Sequence, residues 1–273
     1  MQIIKSIESL RETLKPFQKE GKKVGLVPTM GALHDGHGAL IKASVKDCDI
    51  TVVSVFLNPI QFGRNEDLDK YPKRLEAAAN FAASLGADYV FAPSVAEMYP
   101  NGDPLTLVRN ESLECLYCGA YRPGHFRGVC TVVAKLFNLA HPDFAVFGRK
   151  DYQQAEVIRR MVRDLNFDLK VVVAPIVREK SGLALSSRNT YLSADDRVRA
   201  LAISRTLMSL KRLAGRKSVS WVRKELERAG LKVDYVECVD ARTLELLKTV
   251  GKGACVLVAA YAGKTRLIDN IVL

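Results

Sequence analysis

Val27-Pro-Thr-Met-Gly-Ala-Leu-His-Asp-Gly-His37 follows the short apolar run Val24 to Val27 and enters a helical pattern, Gly38 to Lys46. A strand, a glycine-bearing turn and a helix in immediate succession make a place where an anion can bind. Gly31 and Gly36 permit tight turns and close approach of a ligand. The helix start offers unpaired N–H groups and the positive end of a dipole, which suits phosphate. His34 and His37 are three residues apart, so they can point the same way if the helix begins near His34. Imidazoles are also common metal ligands. No third ligand stands at a recognised metal spacing nearby, so hydrogen bonding to a nucleotide phosphate is the preferred reading.

On the carboxyl side of this segment, apolar runs alternate with helical patterns. Ile50 to Leu57 (ITVVSVFL) is a continuous, largely β-branched run, as expected of a strand buried on both faces. Tyr89 to Ala92, Phe144 to Phe147 and Leu169 to Val177 complete a set of five strands with Val24 to Val27. Helical patterns lie between them at Leu75 to Leu85, Thr131 to Ala140 and Gln153 to Leu165. Strands separated by helices imply crossover connections, hence an α/β fold with a doubly wound parallel sheet. Such sheets bind ligands at the carboxyl ends of their strands, near the switch in strand order. Beyond Val177 the order changes to two helices, Ala194 to Leu213 and Val219 to Arg228, and then three strands, Lys232 to Val239, Ala254 to Tyr261 and Thr265 to Ile271. That pattern predicts a smaller C-terminal α+β domain, with domains at 1–177 and 178–273.

Composition narrows the class. A chain of 273 residues, 48% hydrophobic and 26% charged, is ordinary for a globular protein. No apolar run approaches the roughly 20 residues that span a bilayer, and the start lacks the order of a signal peptide. A cytoplasmic location without membrane partners is expected. The formal charge of +11 could indicate nucleic acid. Lys and Arg are scattered among acidic residues and not interleaved with aromatics, so anionic small molecules explain the charge equally well. Cys115-Leu-Tyr-Cys118 is a lone C-x-x-C. A zinc site completed by His125 and Cys130 fits no common spacing, and no metal ligands are assigned.

Four further segments carry polar chemistry. In Phe56-Leu-Asn-Pro-Ile-Gln-Phe-Gly63, Asn58 and Gln61 sit on a turn fixed by Pro59 and suit a hydroxylated, carboxylated substrate. Arg122-Pro-Gly-His-Phe-Arg-Gly128 leads into a helix. Phe147-Gly-Arg-Lys-Asp-Tyr-Gln-Gln154 offers Lys150 for phosphate, Asp151 for ribose hydroxyls and Gln154 for the substrate. Ile176 to Asn189 contains Leu185-Ser-Ser-Arg188, whose hydroxyls and guanidinium suit a triphosphate and which could close as a lid.

H-x-G-H after the first strand resembles the nucleotidyltransferases related to class I aminoacyl-tRNA synthetases, which hold ATP for attack at the α-phosphate. The ordered set P-T-M-G-x-L-H-x-G-H, F-x-N-P-x-Q-F, R-P-G-H-F-x-G-V-x-T-V-V-x-K-L-F-N, G-x-K-D-x-Q-Q and L-S-S-R-N, with D-Y-V-E near Asp234 and R-L-I-D-N near the end, resembles the pantothenate synthetase family from Met1 to Leu273. The resemblance implies a Rossmann-like first domain and ATP-dependent joining of pantoate to β-alanine. It implies that Pro28, Thr29, Met30, Gly31, Ala32, Leu33, His34, Asp35, Gly36 and His37 line the ATP site, with His37 the usual catalytic histidine. Gly148, Arg149, Lys150 and Asp151 would hold ribose and phosphate, Val177 would meet adenine through its backbone, and Leu185, Ser186, Ser187 and Arg188 would grip the phosphates. Asn58, Gln61 and Gln154 would bind pantoate, and Gln61 also β-alanine. His34, His37, Lys150 and Arg188 are the expected catalytic groups. Family members use magnesium with ATP and are generally homodimers.

Three positions depart from the family pattern. Asp35 replaces the usual Glu, and Arg149 replaces a Glu or Gln. Within Lys73-Arg-Leu-Glu-Ala-Ala78, Ala78 replaces a common Asp, which removes a carboxylate from that place. Magnesium would then be held mainly by ATP and water. A carboxylate is a poor acyl donor because oxide leaves badly. Its attack on the ATP α-phosphate makes a mixed anhydride and releases pyrophosphate, after which the amine of β-alanine displaces AMP. Positioning and charge neutralisation carry such a reaction without a protein nucleophile. The alternatives are an adenylyltransferase acting on a phosphate, against which the Asn58/Gln61 segment and L-S-S-R-N argue, and an RNA-binding protein, against which the scattered charge argues.

Overall fold

The structure, a computed structural model, describes residues 1–63, 66, 68, 71, 74–213 and 217–273. Lys73 of the segment quoted above lies outside the described residues. Two compact units emerge, Met1–Gly148 with Val157–Ala174, and Arg149–Glu156 with Pro175–Leu273.

The first unit begins with β1 (Gln2–Ile4) and α1 (Ile7–Lys19), whose N-cap Ser6 accepts from the Ser9 N–H at 3.2 Å. β2 (Val24–Thr29), α2 (Asp35–Asp47) and β3 (Ile50–Val55) follow, then α3 (Leu75–Ser84), β4 (Tyr89–Phe91) and the short α4 (Val95–Met98) and α5 (Cys118–Tyr121). α6 (His125–Ala140), β5 (Phe144–Gly148) and β6 (Lys170–Ala174) complete the series, with α7 (Tyr152–Asp164) belonging to this unit from Val157 onward and to the second unit before it. Among the described residues the six strands form one parallel sheet in the order β1-β4-β3-β2-β5-β6. The five strands expected from sequence are present. β1 and α1 are additions, and α6 begins six residues before the periodic stretch at Thr131.

The burial of β3 explains its composition: Ile50 to Ser54 are all buried, so both faces are packed. On one side Val27, Val53, Val90 and Val146 meet Leu40, Ile41, Ala79 and Ala82 of α2 and α3. Each such aliphatic side chain contributes roughly 1.5–3 kcal/mol on burial. At Gly25 a Cβ would lie 2.1 Å from Ser44 Oγ, so α2 can lie this close to β2 only over a glycine. Strand order reverses between β2 and β5. Their carboxyl ends, at Thr29 and Gly148, therefore flank the switch point at which sheets of this kind bind ligands.

In the second unit, α8 (Ala194–Arg212) and α9 (Val219–Arg228) cover one face of the antiparallel sheet β7 (Lys232–Asp240), β8 (Ala254–Ala262) and β9 (Thr265–Val272). Ile203, Leu207 and Leu210 of α8 and Val222 and Leu226 of α9 pack with Val256, Val258, Leu267 and Ile271. Ser193 and Ser218 cap the two helices. The chain is thus α/β with a smaller C-terminal α+β unit.

Candidate active site

The turn from β2 into α2 is knitted to the end of β3. Thr29 Oγ1 donates to the Ser54 carbonyl at 2.7 Å and accepts from the Gly31 N–H at 3.2 Å. Gly31 and Ala32 both adopt left-handed backbone, with φ of 90° and 49°. Glycine does this freely, whereas alanine carries strain there. From sequence the turn is expected to rest on Gly31 and Gly36. Gly36 instead lies inside the first turn of α2.

His34 is the N-cap of α2. Its Nδ1 accepts from the Gly36 N–H at 3.1 Å, and His37 Nδ1 accepts from the His34 N–H at 3.3 Å. The two residues form a reciprocal capping box built from imidazoles. This alters the expectation that unpaired backbone N–H groups would face a phosphate, because the rings already engage some of them. A ring nitrogen that accepts carries no proton, so each neutral ring carries its proton on Nε2. The ring centroids are 4.2 Å apart. The start of α2 therefore fixes the tautomer of both imidazoles.

Gln61 belongs to a single 3₁₀ turn, Pro59–Gln61, and is buried. Asn58, only 1% exposed, donates through Nδ2 to Gln61 Oε1 at 3.0 Å and to the Gly128 carbonyl at 3.1 Å. Its Oδ1 accepts from the Tyr99 hydroxyl at 2.8 Å. Burial raises the Tyr99 pKa, which keeps that proton in place. With Oε1 accepting, Gln61 must aim its NH₂, and Nε2 lies 3.1 Å from Met30 Sδ. Asn58 thus orients the Gln61 amide.

The R-P-G-H-F-R-G segment supports the same turn from behind. A guanidinium only donates, so Arg122 Nη1, 3.0 Å from His125 Nε2, makes that nitrogen the acceptor. His125 Nδ1 then donates to the Gln61 carbonyl at 3.0 Å. Arg122 also pairs in bidentate fashion with Glu66. Gly128 meets the turn so closely that a Cβ would lie 2.5 Å from the Ile60 carbonyl oxygen and 2.6 Å from Gln61 Cα. Tyr99, His125 and Gly128 have no role assigned from sequence. The glycine-rich spacing of the segment is the available signal.

In the second unit, Arg149–Asp151 forms a 3₁₀ turn after Gly148. Arg149 is exposed, and Lys150 Nζ lies 3.9 Å from Asp151 Oδ1. Gln154 follows, half-buried in the first turn of α7. Val177 and Leu185 face each other across a tight hairpin, where the Leu185 N–H donates to the Val177 carbonyl at 3.0 Å. Ser186 caps the 3₁₀ segment Ser187–Tyr191 by accepting from the Arg188 N–H. Asn189, buried, donates to Glu179 Oε1 at 2.9 Å and to the Ala184 carbonyl at 3.0 Å. Burial alone would raise the Glu179 pKa. Hydrogen bonds from Asn189 and Arg197 outweigh it, so the net shift is downward.

Among the described residues, no group of three or more His, Cys, Asp or Glu is placed to hold a metal ion. Cys118 and Cys130 are buried while Cys115 is exposed, and burial pushes the Cys130 thiol up to about 12. Ala78 is buried in α3 and supplies no oxygen.

A family model described as Pantoate-beta-alanine ligase matches residues 2–272. A pantothenate synthetase of Clostridium acetobutylicum is 50% identical over 277 residues, covering 99% of this chain and 98% of that protein. The crystal structure of pantothenate synthetase from Thermus thermophilus superposes with a TM-score of 0.91 at 45% identity, covering 99% of each chain. That of a pantoate–β-alanine ligase from Francisella tularensis, complexed with beta-gamma ATP and β-alanine, superposes with a TM-score of 0.85 at 34% identity. It covers 100% of this chain and 97% of that one.

Proposed function

The chain belongs to the pantoate–β-alanine ligase family and makes pantothenate from pantoate and β-alanine with ATP as substrate, and we propose that it does so through a pantoyl adenylate that releases AMP and pyrophosphate. The observation that carries this reading is the imidazole capping box at the start of α2, at the switch point of the parallel sheet. Two Nε2–H donors held by the backbone suit charge that develops on a transferring phosphate, because no reorganisation is needed when it appears.

In the first unit, Pro28 to His37 and Gly148 are assigned to ATP, with His34 and His37 catalytic. Gln61 donates through its oriented NH₂ to pantoate and then meets β-alanine, and Asn58 serves pantoate through Gln61. In the second unit, Lys150 and Arg188 neutralise phosphate charge. Arg149, Asp151, Val177, Leu185, Ser186 and Ser187 complete the nucleotide contacts, and Gln154 contacts pantoate. The β-alanine ammonium sheds one proton to become the attacking amine and a second as the amide forms and AMP leaves, and both are assigned to bulk water.

Magnesium is proposed to arrive with the triphosphate and to stay on phosphate and water. Ala78 fits that reading, since it offers no ligand where a carboxylate would stand. We assign the protein to the cytoplasm. All six cysteines are free thiols, and no described helix is long and apolar enough to cross a membrane. Neither nucleic acid nor a membrane is proposed as a partner. A homodimer is proposed, and the exposed Leu105, Leu107, Leu116 and Tyr121 are apolar area that a second copy would cover. Incubation with ATP and pantoate should give AMP and pyrophosphate, with amide only when β-alanine is added. Formation of ADP and phosphate would reject the adenylate.

A further inference from the structure

Asp269 and Asn270 of β9 lie far in sequence from every residue assigned to substrate, yet both are buried polar residues in a strand that otherwise packs Leu267 and Ile271 into the core. Successive side chains of a strand point to opposite faces, so the two reach different neighbours. Asn270 Nδ2 donates to the carbonyls of Arg149 at 2.8 Å and of Lys150 at 3.0 Å. One amide group thus holds two successive carbonyls of the turn that carries Lys150. Asp269 takes the other direction. Its Oδ2 accepts from Arg178 Nη1 at 2.6 Å and its Oδ1 from Arg178 Nη2 at 2.9 Å, a bidentate pair. Arg178 Nη1 also donates to the Gly182 carbonyl at 3.3 Å, inside the hairpin that delivers Ser186 to Arg188. The Asn270 N–H donates to Asp269 Oδ1 at 2.8 Å, which ties the two devices together.

The orientation of Asn270 is fixed by its partners. Two carbonyls can only accept, so the NH₂ must face them. Its Oδ1 is left buried with no partner among the described residues. A buried carbonyl without a hydrogen bond is a cost that native structures seldom carry without a local reason. Here the reason is the turn: both donors of the amide are committed to it. β9 is paired along its length to β8, so the clamp stands on a rigid base.

We propose that Asp269 and Asn270 are positioning residues for adenylate formation, Asn270 setting the Lys150 turn and Asp269 the Ser186–Arg188 hairpin. The proposal rests on the assignment of Lys150 and Arg188 to the ATP phosphates. Neither β9 residue touches substrate. Their effect passes through the cations they place, and a displacement of about 1 Å is enough to cost on the order of 100-fold in rate.

The test is a double-mutant cycle on single-turnover pyrophosphate release from ATP and pantoate. Asn270→Asp keeps the shape but turns a donor toward the two carbonyls into an acceptor. It should slow this step by roughly 10- to 100-fold. In a Lys150→Ala background the same change should cost less than about twofold, because the group being positioned is gone. A merely structural residue would cost the same factor in both backgrounds, and that result overturns the proposal, as does no loss in the wild-type background. Asn270→Ala, which removes the donors without adding charge, runs the same cycle and decides the matter if the Asp variant does not fold. If Lys150→Ala itself releases pyrophosphate at the normal rate, the phosphate assignment fails and the proposal with it. If Lys150→Ala is slow and both Asn270 variants are normal, only the positioning claim fails.

Discussion

His34 and His37 are held by backbone atoms within three residues of themselves, whereas the turn carrying Lys150 is held by Asn270, 120 positions further along the chain. Each region is proposed to meet phosphate, and the two achieve order by opposite means. The helix start needs only its own capping box. The Lys150 turn and the Ser186–Arg188 hairpin borrow their geometry from β9. A locally ordered site fails only when its own residues change. A borrowed one fails when a remote strand changes. Gln61 stands between the two, since its amide is oriented by Asn58 nearby and by Tyr99 and Gly128 from other elements.

The largest effect should come from the local site. His37→Ala removes one aimed donor and should slow adenylate formation by roughly 10²–10³. The capping bond it also removes is worth only about 1 kcal/mol. Single-turnover kinetics with a thermal melt of the same variant separate the two. A deep fall in melting temperature with near-normal adenylate formation would make His37 structural and erase the contrast. Formation of amide from preformed pantoyl adenylate should suffer less, as no pyrophosphate leaves there.

Next comes Gln61→Ala, which should lower kcat/KM for pantoate by about 1–3 kcal/mol in transition-state terms, because a buried substrate group loses its partner. Unchanged pantoate kinetics would remove Gln61 from the site. Gly128→Ala sharpens the intermediate case. Its Cβ would press on backbone, the Ile60 carbonyl and Gln61 Cα. Overpacking of this kind costs roughly 1–3 kcal/mol of stability. A chemical melt should register that loss together with a weakened KM for pantoate. Normal values of both would show that the turn yields freely.

How much of this is legible in the sequence follows the same division. The strand runs of the first unit and the helices at 194 and 219 are readable because burial on two faces, or on one stripe, writes itself into local periodicity. Periodicity starts α6 only at Thr131, because Pro123, Gly124 and Gly128 look like breakers. In the fold Gly124 is a left-handed N-cap and Gly128 is a contact surface for the Gln61 turn. The strand expected to run to Val177 stops at Ala174 before Pro175, and Val177 joins the hairpin instead. His34 and His37 can be paired from their spacing alone. Asn58 reads as a pantoate contact, since nothing in the sequence announces Tyr99, 41 residues away, as its partner. The Asp269–Asn270 pair is visible only as part of a motif near the end, without a role.

The smallest expected effect concerns the second unit's hairpin. The folded Glu179 carboxyl has a lowered pKa, so its stabilisation is present above its ordinary value of 4.5 and fades as pH falls through the lower folded value. Glu179→Gln should flatten the acid limb of a melting-temperature profile below about pH 4.5. At neutral pH it should cost only roughly 0–1 kcal/mol, since the pair with Arg197 is partly exposed. A variant whose acid limb matches the parent's would show that the pair contributes nothing to holding Asn189.

The adenylate itself is the claim on which both regions depend, and isotope transfer addresses it directly. Pantoate labelled with ¹⁸O in its carboxylate is turned over with ATP and β-alanine, and the products are weighed by mass spectrometry. Attack of the carboxylate on the α-phosphate, followed by amide formation, leaves one labelled oxygen in AMP. Label in inorganic phosphate or pyrophosphate, with none in AMP, would contradict the account.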